Sequence, residues 1–252
     1  MVDSLFSLAW WQIVGLIVLC GHVTIMCTSL YLHRSLTHQS LVFHPIAAFP
    51  MRFWLWLVTG MAAKEWVAVH RKHHAHCETE NDPHSPVVHG WASILFLGVK
   101  YYRRESQNPE TIAKFGKGVP NDLLEQKWFE PMKYAGPFIT LALTVYFFGW
   151  LQGTIFWAGL IVWVPFWAAG VINGLGHTLG YRNYEVEDES RNLSPWGLLL
   201  SGEELHNNHH RFPSSPKFSR KWFEFDMGWL YIRLLVLLHL AKIRINNDET
   251  FA

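Results

Sequence analysis

The chain of 252 residues is half hydrophobic, with 14 Trp and 17 Phe and only 16% charged residues, against roughly 25% in ordinary soluble proteins. That composition points to a bilayer, and a net charge of +1 with no dense basic stretch excludes a nucleic-acid footprint. No Pro/Ser/Gly-rich linker divides the chain, so residues 1–252 are read as one domain.

Residues 5–32 are apolar, lack a basic flank and run longer than the core of a signal peptide. They are expected to stay in the protein as a first transmembrane helix over about residues 7–32. A helix over 8–33 would be about 37 Å long, against a hydrocarbon core of about 30 Å. Its last turns therefore emerge and lift His33 out of the lipid. Cys20 and Cys27 lie within this helix; with Cys77 they make an odd number, so no disulfide framework is expected and a reducing cytosolic face suits them. The apolar stretch 46–63 tempts one to place a span there, but a crossing would put His38 and His70 on opposite sides, and the stretch contains Arg52. It is expected to lie in the interface or to re-enter. Spans at about 136–151 and 154–176 are predicted to form a helical hairpin that turns at Gln152 and Gly153. Residues 227–243, with Trp229, Tyr231, Arg233 and Lys242, read as a second interfacial helix. All 21 Lys and Arg fall in 33–133 or 182–244, which places every histidine-bearing segment on the cytosolic side. The fold class expected is an all-α integral membrane protein with about three transmembrane helices, interfacial helices and a cytosolic helical cap.

That cap concentrates histidine. Nine of fifteen histidines lie in His33-Arg-Ser-Leu-Thr-His38, His70-Arg-Lys-His73-His74, His206-Asn-Asn-His209-His210 and Asn173-Gly-Leu-Gly-His177. Residues at i, i+3 and i+4 fall within about 100° on a helix, so each triplet is expected to aim three imidazoles at one point. His33 and His38 would diverge by about 140° on an unbroken helix, so the helix is expected to fray or end between them. Asn173 and His177, four apart, share a face. Imidazole clusters suit Fe, Zn, Cu or Ni, and nine ligands exceed the roughly four to six positions of one ion. Two metals are expected. His22, His44, His76, His89 and His239 follow no ligand spacing and read as structural. Asp82 and His84, in the segment Glu78-Thr-Glu80-Asn-Asp82-Pro-His84 after the second box, are candidates to orient ligands through outer hydrogen bonds, as are Asp188, Glu203 and Glu204.

The order HxxxxH, HxxHH, HxxHH, with NxxxH before the last box, resembles the membrane fatty acid desaturases across nearly the whole chain. More narrowly, the run from His70 to Pro86, preceded by Thr59-Gly-Met-Ala-Ala-Lys-Glu-Trp66, is similar to bacterial delta-9 acyl desaturases of the Pseudomonas type. The resemblance implies two Fe ions held by His33, His38, His70, His73, His74, His177, His206, His209 and His210, with Asn173 reaching one metal through water. It also implies an enzyme of a bacterial inner membrane that uses O2 and two electrons to insert a cis double bond, at the ninth carbon, into a saturated acyl chain carried on phospholipid or CoA. Walls for that chain are expected from the first helix, the hairpin and the aromatic run Phe53, Trp54, Trp56 and Trp66. No His-Pro-Gly-Gly haem motif or iron–sulfur cysteine set is present, so an external ferredoxin, rubredoxin or cytochrome b5-like donor, with its reductase, is expected. The segment from Lys100 to Lys133, with seven Lys/Arg against five Asp/Glu, could dock an acidic donor or lipid headgroups. A related hydroxylase or acetylenase would share the boxes. A non-catalytic membrane metal-binding protein is the distant alternative, since its ligands would lie within the spans.

Overall fold

The computed structural model describes residues 5–6 and 8–244; residue 7, where the first span was expected to begin, and both extreme ends of the domain lie outside them. Helix α1 (Trp10–Cys27) runs without a break into a π-helix, Thr28–Thr37. The helix ends between His33 and His38, at Thr37, as expected, but it does not fray before that end. The chain stays wound but widens, with His38 N–H donating to His33 O at 3.1 Å. Bonding from i to i+5 stacks residues five apart, and it brings the two rings to 4.8 Å between centroids.

A short strand β1 (Leu41–Phe43) leads into α2 (Pro45–Thr59). Gly60, at φ 67°, ends α2 in the left-handed region that favours glycine, and α3 (Ala63–His76) leaves at 88°. Trp54 Nε1 donates to Thr24 Oγ1 at 3.0 Å, and Thr140 Oγ1 to Leu57 O at 2.8 Å. Those bonds wedge α2 between α1 and the later hairpin. The His38 and His70 rings are 5.5 Å apart, so the chain between them makes no net crossing. Helices α4 (Pro86–His89), α5 (Trp91–Ser106) and α6 (Pro109–Phe115) follow, then a π turn at Glu125–Phe129.

Helix α7 (Ala135–Val164) contains a break at Gly149, whose φ 76° and ψ 171° belong to a region that is essentially glycine-only. A straight helix would hold Pro137 and Trp157 about 30 Å apart, yet Trp157 Nε1 donates to Pro137 O at 2.8 Å. The hairpin therefore forms, but it turns at Gly149. Gln152 and Gly153 sit on the return arm, where a Cβ on Gly153 would come within 2.4 Å of Thr144 O; the glycine there permits close packing of the arms. The return arm continues as a second π-helix, Pro165–Leu175, against α5. Here Gly98, Gly170 and Gly174 let the two backbones approach. Among the described residues, two helical stretches are long and apolar enough to cross a membrane, Trp10–Thr37 and the hairpin-forming Ala135–Leu175. Trp11, Val14 and Leu19 on the first, and Phe138, Trp150, Leu151 and Val162 on the second, point outward, as lipid-facing apolar side chains do.

The cap, residues 177–226, is irregular, with isolated bridges joining Tyr181, Asn192 and Leu205 and a parallel pair β2 (Trp196–Gly197) with β3 (Phe225–Asp226). Helix α8 (His206–Arg211) sits inside it. Helix α9 (Met227–Leu237) stops six residues short of the expected 243. His239 takes φ 58° and the chain turns into β4 (Ala241–Ile243), antiparallel to β1. Backbone pairing with β1 thus replaces the last helical turns.

Candidate dimetal site

The histidines form two adjacent groups, His33, His38, His70, His74 and His209, and His73, His177, His206 and His210. Within each, the ligand atoms lie within 4.8 Å of one another. Each triplet was expected to converge on one point, but both are divided. His70 and His74 enter the five-membered group and His73 the other; His206 and His210 enter the four-membered group and His209 the other. The rule is the same on both helices and follows from 3.6 residues per turn. Residues i and i+4 are about 40° apart and converge, whereas i+3 lies about 60° to the other side. Each helix therefore serves both groups.

The chemistry of the donors fits metal ions. Imidazole nitrogens face each other at 3.0 Å for His33–His209 and His177–His206, and at 3.1 Å for His70–His74 and His74–His209. Buried His38 Nε2 and His210 Nε2 have no hydrogen-bond partner. Burial, reinforced by the neighbouring imidazoles, pushes His38, His206, His209 and His210 well below the ordinary imidazole range. Neutral rings with lone pairs directed at one another, buried from solvent, suit a cation between them.

Outside the groups, four carboxylates meet the remaining ring nitrogens. Glu203 Oε1 lies 2.9 Å from His33 Nδ1, Asp82 3.0 Å from His73 Nδ1, Glu78 3.0 Å from His177 Nδ1 and Asp188 2.7 Å from His210 Nδ1. Such contacts fix the tautomer that turns Nε2 inward. Burial raises the Asp82 carboxyl, but the His73 imidazole and backbone amides more than reverse this, so it sits well below the usual range. Asp188 is also lowered, its burial outweighed by Ser190 and the histidines. Glu78, at φ 63°, is the orienting group that spacing did not single out; the signal available was its place two residues beyond the helix end of the second box. Ser29, which donates to Glu203 at 2.5 Å, went unnoticed as well. So did Asn207 and Asn208, whose amides tie α8 to Asn183, Tyr184 and Glu224.

His84 stacks on His73 at 4.5 Å, and burial pushes its pKa down to about 3. Glu204 reaches none of the nine histidines; it accepts from Leu200 N–H at 2.9 Å and holds the backbone turn before α8. His22 bonds Tyr231 and Leu199, His44 caps α2, and His89 stacks on Tyr101, all structural roles.

An apolar cavity of about 290 Å³ is lined by His33, His70, His84 and His206. Its walls are Ile25 and Thr28 of the first helix and Leu160, Val164, Ala168 and Ile172 of the return arm, and Asn173 lines it as well. Of the aromatic run, Trp66 lines it; Trp54 and Trp56 instead anchor α2 through Thr24 and Met132, and Phe53 is exposed.

Residues 8–233 match the profile of the fatty acid desaturase family. The chain belongs to that family. It is an oxidoreductase of lipid metabolism with histidine groups able to hold metal. It is 32% identical to an sn-1 stearoyl-lipid 9-desaturase of Anabaena variabilis, over 95% of this chain and 85% of that protein. Identity is 30% to an acyl-CoA 5-desaturase of Anemone leveillei, over 94% and 72%. It is 28% to a delta-9 desaturase-like 2 protein of Arabidopsis thaliana, over 94% and 79%.

Proposed function

We propose that this desaturase inserts a cis double bond at the ninth carbon of a saturated acyl chain, esterified in phospholipid or carried on CoA, using O2 and two electrons. The observation that carries the reading is the apolar cavity lined by members of both histidine groups. One Fe ion would be held by His33, His38, His70, His74 and His209, and a second by His73, His177, His206 and His210, with Asn173 reaching the second through water. Together they would supply the oxidising power that an unactivated methylene demands.

The chain's own residues bind and position. Because methylenes are chemically alike, the site of reaction is set by how the walls from Ile25 to Ile172 lay the alkyl chain past the ligands. Glu203, Asp82, Glu78 and Asp188 hold the ring orientations. Two of the named relatives support the ninth carbon, and one of them the lipid carrier. The positive-inside pattern supports three spans, α1 and both hairpin arms, with the histidines facing the cytosol, and the resemblance of the run from His70 to Pro86 supports a bacterial inner membrane. Electrons would come from a ferredoxin, rubredoxin or cytochrome b5-like protein with its reductase.

The test is expression in a bacterium without its own aerobic desaturase, with lipids analysed by gas chromatography and double-bond localisation, beside His209→Ala and His210→Ala. New monounsaturated chains at the ninth carbon, absent from both variants, are expected. Hydroxylated chains would overturn the reaction, and unchanged lipids from iron-loaded protein supplied with a donor would overturn the catalytic reading.

A further inference from the structure

The cavity also has polar lining residues, Glu65, Tyr102, Arg103, Lys133 and Tyr134. Glu65 and Lys133 satisfy each other in an ion pair at 2.5 Å. Tyr102 does not share in it: its hydroxyl oxygen is buried and has no hydrogen-bond partner. Burial, then the Glu65 carboxylate and the Tyr134 phenol, hold the Tyr102 phenol well above its usual range. It is therefore a neutral donor at any working pH. A buried donor left unmet is costly, and in a cavity otherwise shaped for hydrocarbon, the substrate group able to meet it is a carbonyl.

We infer that the Tyr102 hydroxyl donates to the carbonyl oxygen of the acyl ester or thioester, so that the protein counts carbons from the carboxyl end. The inference rests on the desaturase reading and adds the residue that sets its register. Glu65, whose carboxylate acts on the Tyr102 phenol, precedes His70 by five residues and His74 by nine on α3, about 7.5 and 13.5 Å along the helix axis. An extended chain advances about 1.1–1.2 Å per bond, since the three backbone bonds of a residue span about 3.3–3.6 Å. Eight bonds from the carbonyl to the ninth carbon cover about 9–10 Å, inside that interval. A carbonyl held at Tyr102 thus delivers the ninth carbon to the level of the second histidine box.

Tyr102→Phe removes only the hydroxyl. The variant is expected to fold and load metal like the parent, to lose on the order of 3- to 10-fold in kcat/KM, mainly through KM, and to spread its double bonds over neighbouring carbons. A purely structural hydroxyl would leave the position of the bond unmoved, and an unmoved position with parental KM overturns the inference. Independently of any variant, the parent enzyme is given sixteen- and eighteen-carbon chains. The double bond should stay at one carbon counted from the carboxyl; a shift by two with chain length would mean counting from the methyl end and would also overturn it. Both experiments are run with the acyl chain esterified in phospholipid and with it carried on CoA, and the arm that turns over names the ester or the thioester as the source of the carbonyl. If the parent yields no unsaturated product from either, it is the desaturase reading that fails.

Discussion

Arg34 and Asp226 form an ion pair with both side chains 0% exposed and Nη2 to Oδ1 at 3.0 Å. The pair joins the π-helix that presents His33 to the cap that presents His206, His209 and His210. Arg34 Nε and Nη1 have no partners, so the guanidinium depends on Asp226, on Ser201 O at 3.0 Å and on the Phe218 ring. Asp226→Asn keeps the shape and an acceptor but leaves the buried cation unpaired, which costs about 3–5 kcal/mol. For a chain of this size 1 kcal/mol moves the midpoint by about 2–4 °C, so Tm should fall by about 6–20 °C. Asp226→Ala should cost about 1 kcal/mol more, because Asp226 also caps α9 through Trp229 N–H at 2.9 Å. Arg34→Met combined with Asp226→Asn removes both charges and should recover much of the loss. Tryptophan fluorescence during thermal unfolding in a fixed detergent, with metal content held constant, measures all three. A fall of less than about 2 °C for Asp226→Asn would refute the idea that this pair binds the first box to the cap.

Glu78→Gln should weaken metal retention by about 10–100-fold through its His177 contact; metal content after graded chelator dialysis reads it, and parental retention would remove Glu78 from its orienting role. The divided triplets make a stoichiometric prediction. The double variant His70→Ala/His74→Ala should keep the metal of the four-histidine group, while adding His73→Ala should empty both; one equivalent retained by the triple variant would restore one site per box. Gly149→Ala should destabilise the protein by about 1–3 kcal/mol, because φ 76° with ψ 171° is closed to a side chain, and an unchanged unfolding midpoint would contradict the placement of the turn.

Much of the site was legible because metal chemistry constrains residue type more tightly than folding does. Nine histidines at short spacings, between apolar runs free of Lys and Arg, were expected to meet in one place, and the structure gathers all nine into the two groups. The partners of the ligands were less legible. Asp82 and Asp188 stood out as carboxylates near boxes, but Glu78 serves His177, 99 residues away, and no local pattern announces a contact of that range. Glu204, with equal standing by sequence, turned out to hold backbone.

The sequence by itself determined the class of the protein, the identity of the nine imidazoles, and a helical hairpin between residues 136 and 176, because hydropathy and residue chemistry act locally. The tertiary structure alone decided which histidine serves which group, through helical angles of about 40° and 60° that acquire meaning only when two helices face each other across a gap. It also decided that the first box stays wound, because the i to i+5 bond that aligns His33 with His38 is maintained by packing around the π-helix rather than by intrinsic propensity. Finally it left the Tyr102 hydroxyl on α5 buried and without a partner at the wall of the cavity, a position that depends on how α5 packs against α3 and the return arm.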